Sequence, residues 1–327
     1  MKVAVVDLGT NTCRLFLAEV DGDEVRAGRL PPAPAGPSCV RTVERLTTVV
    51  RLGQGVDRTG RLDAVAVART RACLAGYAPR LEAFAPERRL LVATSVLRDA
   101  AEGRAFLEGV ERDFALPWRV LAGEEEGALA FRGGTAELVG NGPRPLVLVD
   151  IGGGSTEFAF GAPGAAPEFV RSLDVGVVRL TERFIKSDPP APAELAWLEG
   201  FTAKALADAV PATVRGAARG AVGVAGTYTT LVANKLGLRE YRSELVHGHV
   251  LSASDIDDAI ARFSTLTNAE RGRLPGIQPG REDVILAGAI IAREALRAFG
   301  LDEVRCSEAD ILEGAALGLA DGTLTAG

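Results

Sequence analysis

A short segment occurs twice in this chain of 327 residues, and it constrains the fold more than any other feature. Val5-Val6-Asp7-Leu8-Gly9-Thr10-Asn11-Thr12-Cys13-Arg14-Leu15 aligns with Leu148-Val149-Asp150-Ile151-Gly152-Gly153-Gly154-Ser155-Thr156-Glu157-Phe158, about 143 residues downstream. Both copies read as a strand, an aspartate, an apolar residue, a glycine, a small polar turn and a second strand. A single copy is an ordinary β-hairpin, whose turn favours Gly, Asn, Thr and Ser for backbone reasons alone. Two copies in register point to a duplicated functional hairpin. The length, more than one core usually serves, agrees with two lobes of similar size.

The repeated turn has a chemistry. Glycines and small hydroxyl residues let successive backbone N–H groups point into one concavity, where they bind anionic oxygens. An aspartate at the end of the preceding strand does not bind phosphate directly, but it can hold a hydrated Mg²⁺ that neutralises phosphate oxygens. Two such hairpins facing each other would grip a phosphoanhydride from both sides. Rival phosphate machinery is missing from the sequence: there is no Gly-Lys dipeptide for a Walker A loop and no G-x-G-x-x-G fingerprint. Two histidines, His247 and His249, are too few for a three-histidine zinc site, and a packed or turn-capping role suits them better. The G-x-S-x-G elbow of acyl transfer is also lacking.

Composition narrows the partners. Apolar residues make up 47% and charged residues 24%, which is globular and excludes a largely disordered chain. A net charge of −6 argues against a general nucleic-acid binder, which needs a basic face to release phosphate counterions. A polyanionic ligand would then rely on local arginine, backbone N–H groups and a divalent cation. The acid at Asp7 interrupts the first apolar run too early for a signal peptide, and no later run reaches about 18 apolar residues, so a cytoplasmic protein without membrane attachment is expected. Cys13, Cys39, Cys73 and Cys306 form no C-x-x-C pair and read as inert thiols.

Apolar runs alternate with segments of helical period, the pattern of an α/β protein. Strands are expected at 3–6, 14–20, 90–93, 146–149, 157–160 and 221–224, and helices at 63–84, 124–137, 192–214, 228–236, 255–263 and 282–299. The Pro-rich stretch Leu30 to Ser38 reads as an exposed loop.

With Gly223-Val224-Ala225-Gly226-Thr227-Tyr228-Thr229-Thr230-Leu231, the hairpins resemble the acetate and sugar kinase, Hsp70 and actin superfamily, in which duplicated ribonuclease H-like lobes close over a phosphate-bearing ligand. Within it the chain resembles the exopolyphosphatase and guanosine pentaphosphate phosphatase family. The further motifs are Ala93-Thr94-Ser95-Val96-Leu97-Arg98-Asp99-Ala100, Gly123-Glu124-Glu125-Glu126, Gly176-Val177-Val178-Arg179-Leu180 and Asp283-Val284-Ile285-Leu286-Ala287-Gly288. Any one is weak, but their joint order across most of the chain is specific.

The resemblance implies Mg²⁺-assisted removal of terminal phosphate from inorganic polyphosphate or guanosine pentaphosphate by an activated water. Glu126 matches the catalytic glutamate, with Glu125 the fallback one position away. Asp150 and Glu157 match the metal and water positions of the second loop, and Asp7 that of the first. Thr10, Asn11, Arg98, Gly153, Gly154 and Ser155 match phosphate contacts, with Arg14 and Arg179 as auxiliary ones. Against these roles, the run Glu124 to Glu126 could serve only a helix N-terminus, and Arg98 could merely pair with Asp99 or Glu102.

The terminal segment departs from the pattern, because many relatives carry glycine and arginine where this chain has Asp310 and Leu312. The resemblance is to the short form, without an appended HD-type domain, and it implies a possible homodimer. Expected lobes are 1–122, with a final helix 310–327 returning to it, and 123–309, with the cleft between them. A nucleotide-dependent kinase and a non-catalytic sensor of polyphosphate or nucleotide stay open as other readings.

Overall fold

A computed structural model describes residues 1–26, 32–33, 36–37, 39–140 and 142–327. Most of the loop expected over Leu30 to Ser38 lies outside these residues; within it Pro32–Ala33 (β3) and Gly36–Pro37 (β4) pair antiparallel. The chain divides into two units, Met1–Val139 with Asp310–Gly327, and Gly140–Ala309.

The first unit is built on a five-stranded sheet. Strands β1 (Lys2–Leu8) and β2 (Thr12–Val20) form an antiparallel hairpin, and β5 (Val40–Val49) pairs antiparallel with β2. On the other side of β1 run β6 (Arg88–Ala93) and β7 (Trp118–Val120), both parallel to their neighbours, giving the order β5-β2-β1-β6-β7. The second unit repeats this plan with β8 (Leu146–Ile151), β9 (Thr156–Gly161), β10 (Phe169–Leu173), β11 (Ala221–Val224) and β13 (Glu303–Cys306), ordered β10-β9-β8-β11-β13. A sixth strand, β12 (Val250–Ser252), adds antiparallel to β13. The duplication visible in two short segments therefore extends to whole mixed sheets, the α/β ribonuclease H-like arrangement that the resemblance implied.

The central strands explain their own sequences. Val3 to Val6 in β1 and Leu146 to Val149 in β8 are buried throughout, because helices cover both sheet faces, so these strands are continuous apolar runs rather than alternating ones. Strand β5 gave no such signal. It is an edge strand of mostly polar, partly exposed residues, including Arg41, Glu44 and Arg45, and it bends at a bulge opposite Leu17 and Ala18.

The six expected helices form with shifted ends. The helix Ala64–Phe84 starts where Asp63 caps it, accepting from the N–H groups of Val65 and Ala66 at 3.0 Å. The helix expected over 192–214 is two helices, Pro192–Ala209 and Ala212–Ala217, because Pro211 offers no N–H to continue the first.

The boundary between the units falls after Val139 rather than at the expected 122. The helix Gly123–Gly134 stays with the first unit because it crosses the terminal helix Ile311–Asp321 at backbone distance. A methyl group on Gly133 would overlap the carbonyl of Asp310, and one on Gly314 the carbonyl of Leu129. Gly314→Ala is expected to cost about 1–3 kcal/mol through this overlap, read as earlier thermal unfolding. An unchanged melting profile would show that the helices separate freely.

Candidate active site

The two repeated turns have the same internal bond. The Gly9 N–H donates to the Thr12 carbonyl at 2.9 Å, and at the equivalent positions the Gly152 N–H donates to the Ser155 carbonyl at 3.0 Å. In each turn the other carbonyls are drawn back into the unit that carries it. The Thr10 carbonyl accepts from Gly53 N–H at 2.8 Å, and that of Asn11 from Val50 and Arg51, both at 2.9 Å. The Gly152 carbonyl accepts from Val177 at 3.0 Å, and that of Gly153 from Val178 at 2.9 Å and Arg179 at 3.2 Å. The Gly154 carbonyl takes Arg179 Nε at 2.9 Å.

In a trans peptide the C=O of one residue and the N–H of the next point in opposite directions. Tying these carbonyls inward therefore turns outward the N–H groups of Asn11 and Thr12 in one turn, and of Gly153, Gly154 and Ser155 in the other. Each set is a cradle for anionic oxygens. Gly176 makes the second cradle possible, since a Cβ there would overlap the carbonyl of Gly153 and reach Gly154. In the first, Thr10 Oγ1 lies 3.0 Å from Ser95 Oγ, and Asn11 Oδ1 is buried with no partner among the described residues, a common sign of a polar group kept for a ligand.

Cross-strand register sets the charges at the two turns. In the first hairpin Asp7 faces Arg14, and in the second Asp150 faces Glu157. Arg14 Nε and Nη2 both donate to Asp7 Oδ2 at 2.7 Å, and Nη1 pairs with Asp310. Arg45, from the edge strand, reaches Asp310 at 3.1 Å and Glu313 at 2.8 Å. Burial raises the Asp7 carboxyl above its ordinary range, against the pull of Arg14. Burial would raise Asp310 too, but Arg14 and Arg45 outweigh it and hold that carboxyl below the usual range. Glu313 is raised by burial, with Arg45 opposing. Arg45, Asp310 and Glu313 were not among the expected site residues; Asp310 and Glu313 stand three apart as the capping box of the terminal helix, but no local pattern links them to Arg14 or Arg45.

Two of the three glutamates, Glu125 and Glu126, separate by role. The Ala122 N–H donates to Glu125 at 2.9 Å, closing the first turn of Gly123–Gly134, and the other Glu125 oxygen pairs with Arg119. Glu125 thus takes the helix-capping role that was the plain reading of the cluster. Glu126 points elsewhere: Arg98 Nη1 lies 3.3 Å from its Oε2 and donates to the Leu121 carbonyl at 2.6 Å. Arg98 therefore does not merely pair along its own helix, and Glu102 takes Arg61 instead. His247 Nδ1 accepts from the Glu308 N–H at 3.0 Å, a turn-capping contact.

The first unit thus carries Asp7, Thr10, Asn11, Arg14, Arg98, Glu125 and Glu126, and the second carries Asp150, Gly153, Gly154, Ser155, Glu157 and Arg179. Among the described residues no three His, Cys, Asp or Glu side chains gather as a metal site. Mg²⁺ does not require one, because it binds through one or two carboxylates, waters and substrate phosphates. Asp150 and Glu157 fit it. They are buried oxygen donors directly opposite each other on adjacent strands, and Ser172 Oγ donates to one oxygen of Glu157 at 2.7 Å. Asp7, the acid expected to bind metal in the first turn, receives two bonds from Arg14 on one oxygen, Oδ2.

The profile of the Ppx/GppA phosphatase family matches residues 34–322. Exopolyphosphatase 2 of Mycobacterium tuberculosis is 39% identical over 98% of this chain and 98% of its own. Among solved structures, a Ppx/GppA family member of Aquifex aeolicus is 31% identical, covers 97% of both chains and superposes with a TM-score of 0.78. An exopolyphosphatase of Cytophaga hutchinsonii shares the fold at 22% identity, with a TM-score of 0.84 over the full length of both chains. With a profile match over most of its length and a relative this similar from end to end, the chain belongs to the Ppx/GppA phosphatase family.

Proposed function

We propose that the protein is an Mg²⁺-dependent exopolyphosphatase, releasing orthophosphate one unit at a time from the end of inorganic polyphosphate. The observation that carries this reading is the second turn, where outward amides of Gly153, Gly154 and Ser155 lie next to the buried acids Asp150 and Glu157. Such a turn holds anionic oxygens and the cation that neutralises them. The likeness to curated exopolyphosphatases supplies the phosphoanhydride.

In this reading Asn11 and Arg98 of the first unit, and the outward amides of Gly153, Gly154 and Ser155 with Arg179 of the second, are phosphate-binding groups. Glu126 accepts a proton from the attacking water. The water oxygen forms the new bond to phosphorus as the bridging P–O bond breaks, and the shortened chain leaves with its oxygen. Asp150 and Glu157 would hold Mg²⁺, which would supply charge neutralisation on the phosphate oxygens. Little covalent work falls to the protein; positioning and electrostatics carry the rate. Glu126 is preferred over Glu125 because Glu125 is committed to a helix cap. A cytoplasmic setting, where polyphosphate is the substrate, suits a chain in which no helix of the described residues is long and apolar enough to cross a membrane.

One panel tests this: long polyphosphate, short polyphosphate, guanosine pentaphosphate, pyrophosphate, and ATP with candidate acceptors, each with and without Mg²⁺. Orthophosphate from polyphosphate, lost without Mg²⁺, is the expected result. Release from guanosine pentaphosphate alone assigns the nucleotide phosphatase, transfer from ATP to an acceptor assigns a kinase, and binding without turnover assigns a sensor.

A further inference from the structure

Two of the cysteines that read as inert lie together at the root of the first turn. Cys13 sits in β2 between Thr12, which closes the turn, and Arg14, and it is fully buried. Cys73 is half-buried on the helix Ala64–Phe84 and packs against the core that contains Cys13. Neighbouring contacts fix this arrangement. Thr48 stands opposite Cys13 in register. The Tyr77 hydroxyl donates to the Cys13 carbonyl at 2.9 Å and lies 3.0 Å from Thr48 Oγ1. Cys73 is one helical turn before Tyr77, shares its face and packs against the same core, which places its sulfur beside the Cys13 thiol.

We propose that Cys13 and Cys73 form a redox-active pair, a site at which a peroxide installs a reversible disulfide linking the first turn's outgoing strand to the helix Ala64–Phe84. The two thiols are set apart for the two steps. The neighbouring Cys13 thiol favours the Cys73 thiolate and lowers it to about 6 against the opposing effect of burial, while the same neighbour and burial push the Cys13 thiol up. The Cys73 thiolate attacks one oxygen of hydrogen peroxide, breaking the O–O bond to give a sulfenic acid and, after proton uptake, water. The Cys13 sulfur then displaces the sulfenic oxygen, losing its proton; the S–S bond forms and a second water leaves. Two thiols and one peroxide thus become one disulfide and two waters, and a dithiol reductant reverses the change by exchange.

The test uses the full chain, treated with hydrogen peroxide, then denatured and alkylated. Thiol titration is expected to fall from four to two, with dithiothreitol restoring four. Tryptic digestion without reductant should give Val3–Arg14 joined to Ala72–Arg80, lighter than the sum of the two peptides by two hydrogens. Cys73→Ser, at the half-buried position, is expected to abolish the joined peptide and leave Cys13 reduced. An undiminished thiol count, a Cys73 oxidised beyond sulfenic acid while Cys13 stays free, or linkage of either residue to Cys39 or Cys306 would overturn the proposal. Because the readout is the covalent bond rather than phosphate release, the outcome stands apart from that of the substrate panel.

Discussion

Glu126→Gln is expected to lower orthophosphate release from polyphosphate by about 10²–10⁴-fold, the range that a positioned general base contributes, with KM little changed. Glutamine keeps the shape and can still bond to Arg98, which lies 3.3 Å from Oε2, so the fold and the Arg98 contact survive while the proton acceptor is lost. Glu125→Gln is the matched control. Its side chain closes the first turn of the helix Gly123–Gly134, and the glutamine oxygen still accepts from the Ala122 N–H, so the change removes only the charge paired with Arg119, costs at most about 1 kcal/mol and leaves kcat close to that of the parent. Steady-state kinetics and thermal melting of the two variants separate these outcomes. If Glu125→Gln is inactive and Glu126→Gln active, the base is assigned one residue too late.

Asp310→Ala is expected to be the most damaging single change to the first unit. Asp310 lies between two arginines, Arg14 and Arg45, and its side chain also caps the terminal helix by accepting from the Leu312 N–H at 2.9 Å. Removing one partner from a buried ion pair costs about 3–5 kcal/mol, because the remaining charge loses its compensation. Asp310→Asn keeps the cap and the shape but not the charge, so it should fall between the parent and alanine. Denaturant unfolding followed by a probe in the first unit measures the order. An alanine variant as stable as the parent would show that Arg14 and Arg45 need only Asp7 and Glu313.

These two residues also show what can be read from a sequence and what cannot. The hairpins were legible because they occur twice, and their turn residues carry a backbone signature that survives outside the fold. The helix starting at Asp63 was legible because capping is local. Adjacent acids such as Glu125 and Glu126 were not separable by spacing; which one caps and which one points away depends on the helix rotation at Ala122. Edge strand β5 hid among polar residues because only one side of it pairs. The role of Asp310 was invisible for another reason: its partner Arg14 lies 296 residues away, and no periodicity reports a contact between such distant side chains. Its departure from the pattern of relatives could be noticed, but the ion pairs that give it meaning come from tertiary structure.

The close crossing of Gly123–Gly134 with Ile311–Asp321 has a consequence for biosynthesis. The amino-terminal half emerges from the ribosome first, yet the stretch that completes it comes only after all of Gly140–Ala309 has been translated. At typical elongation rates that gap lasts roughly 10–30 s. Throughout it Arg14 and Arg45 lack two of their acidic neighbours and the backbone beside Gly133 and Leu129 is uncovered, so the packing of the first unit is completed only when the segment Asp310–Gly327 arrives.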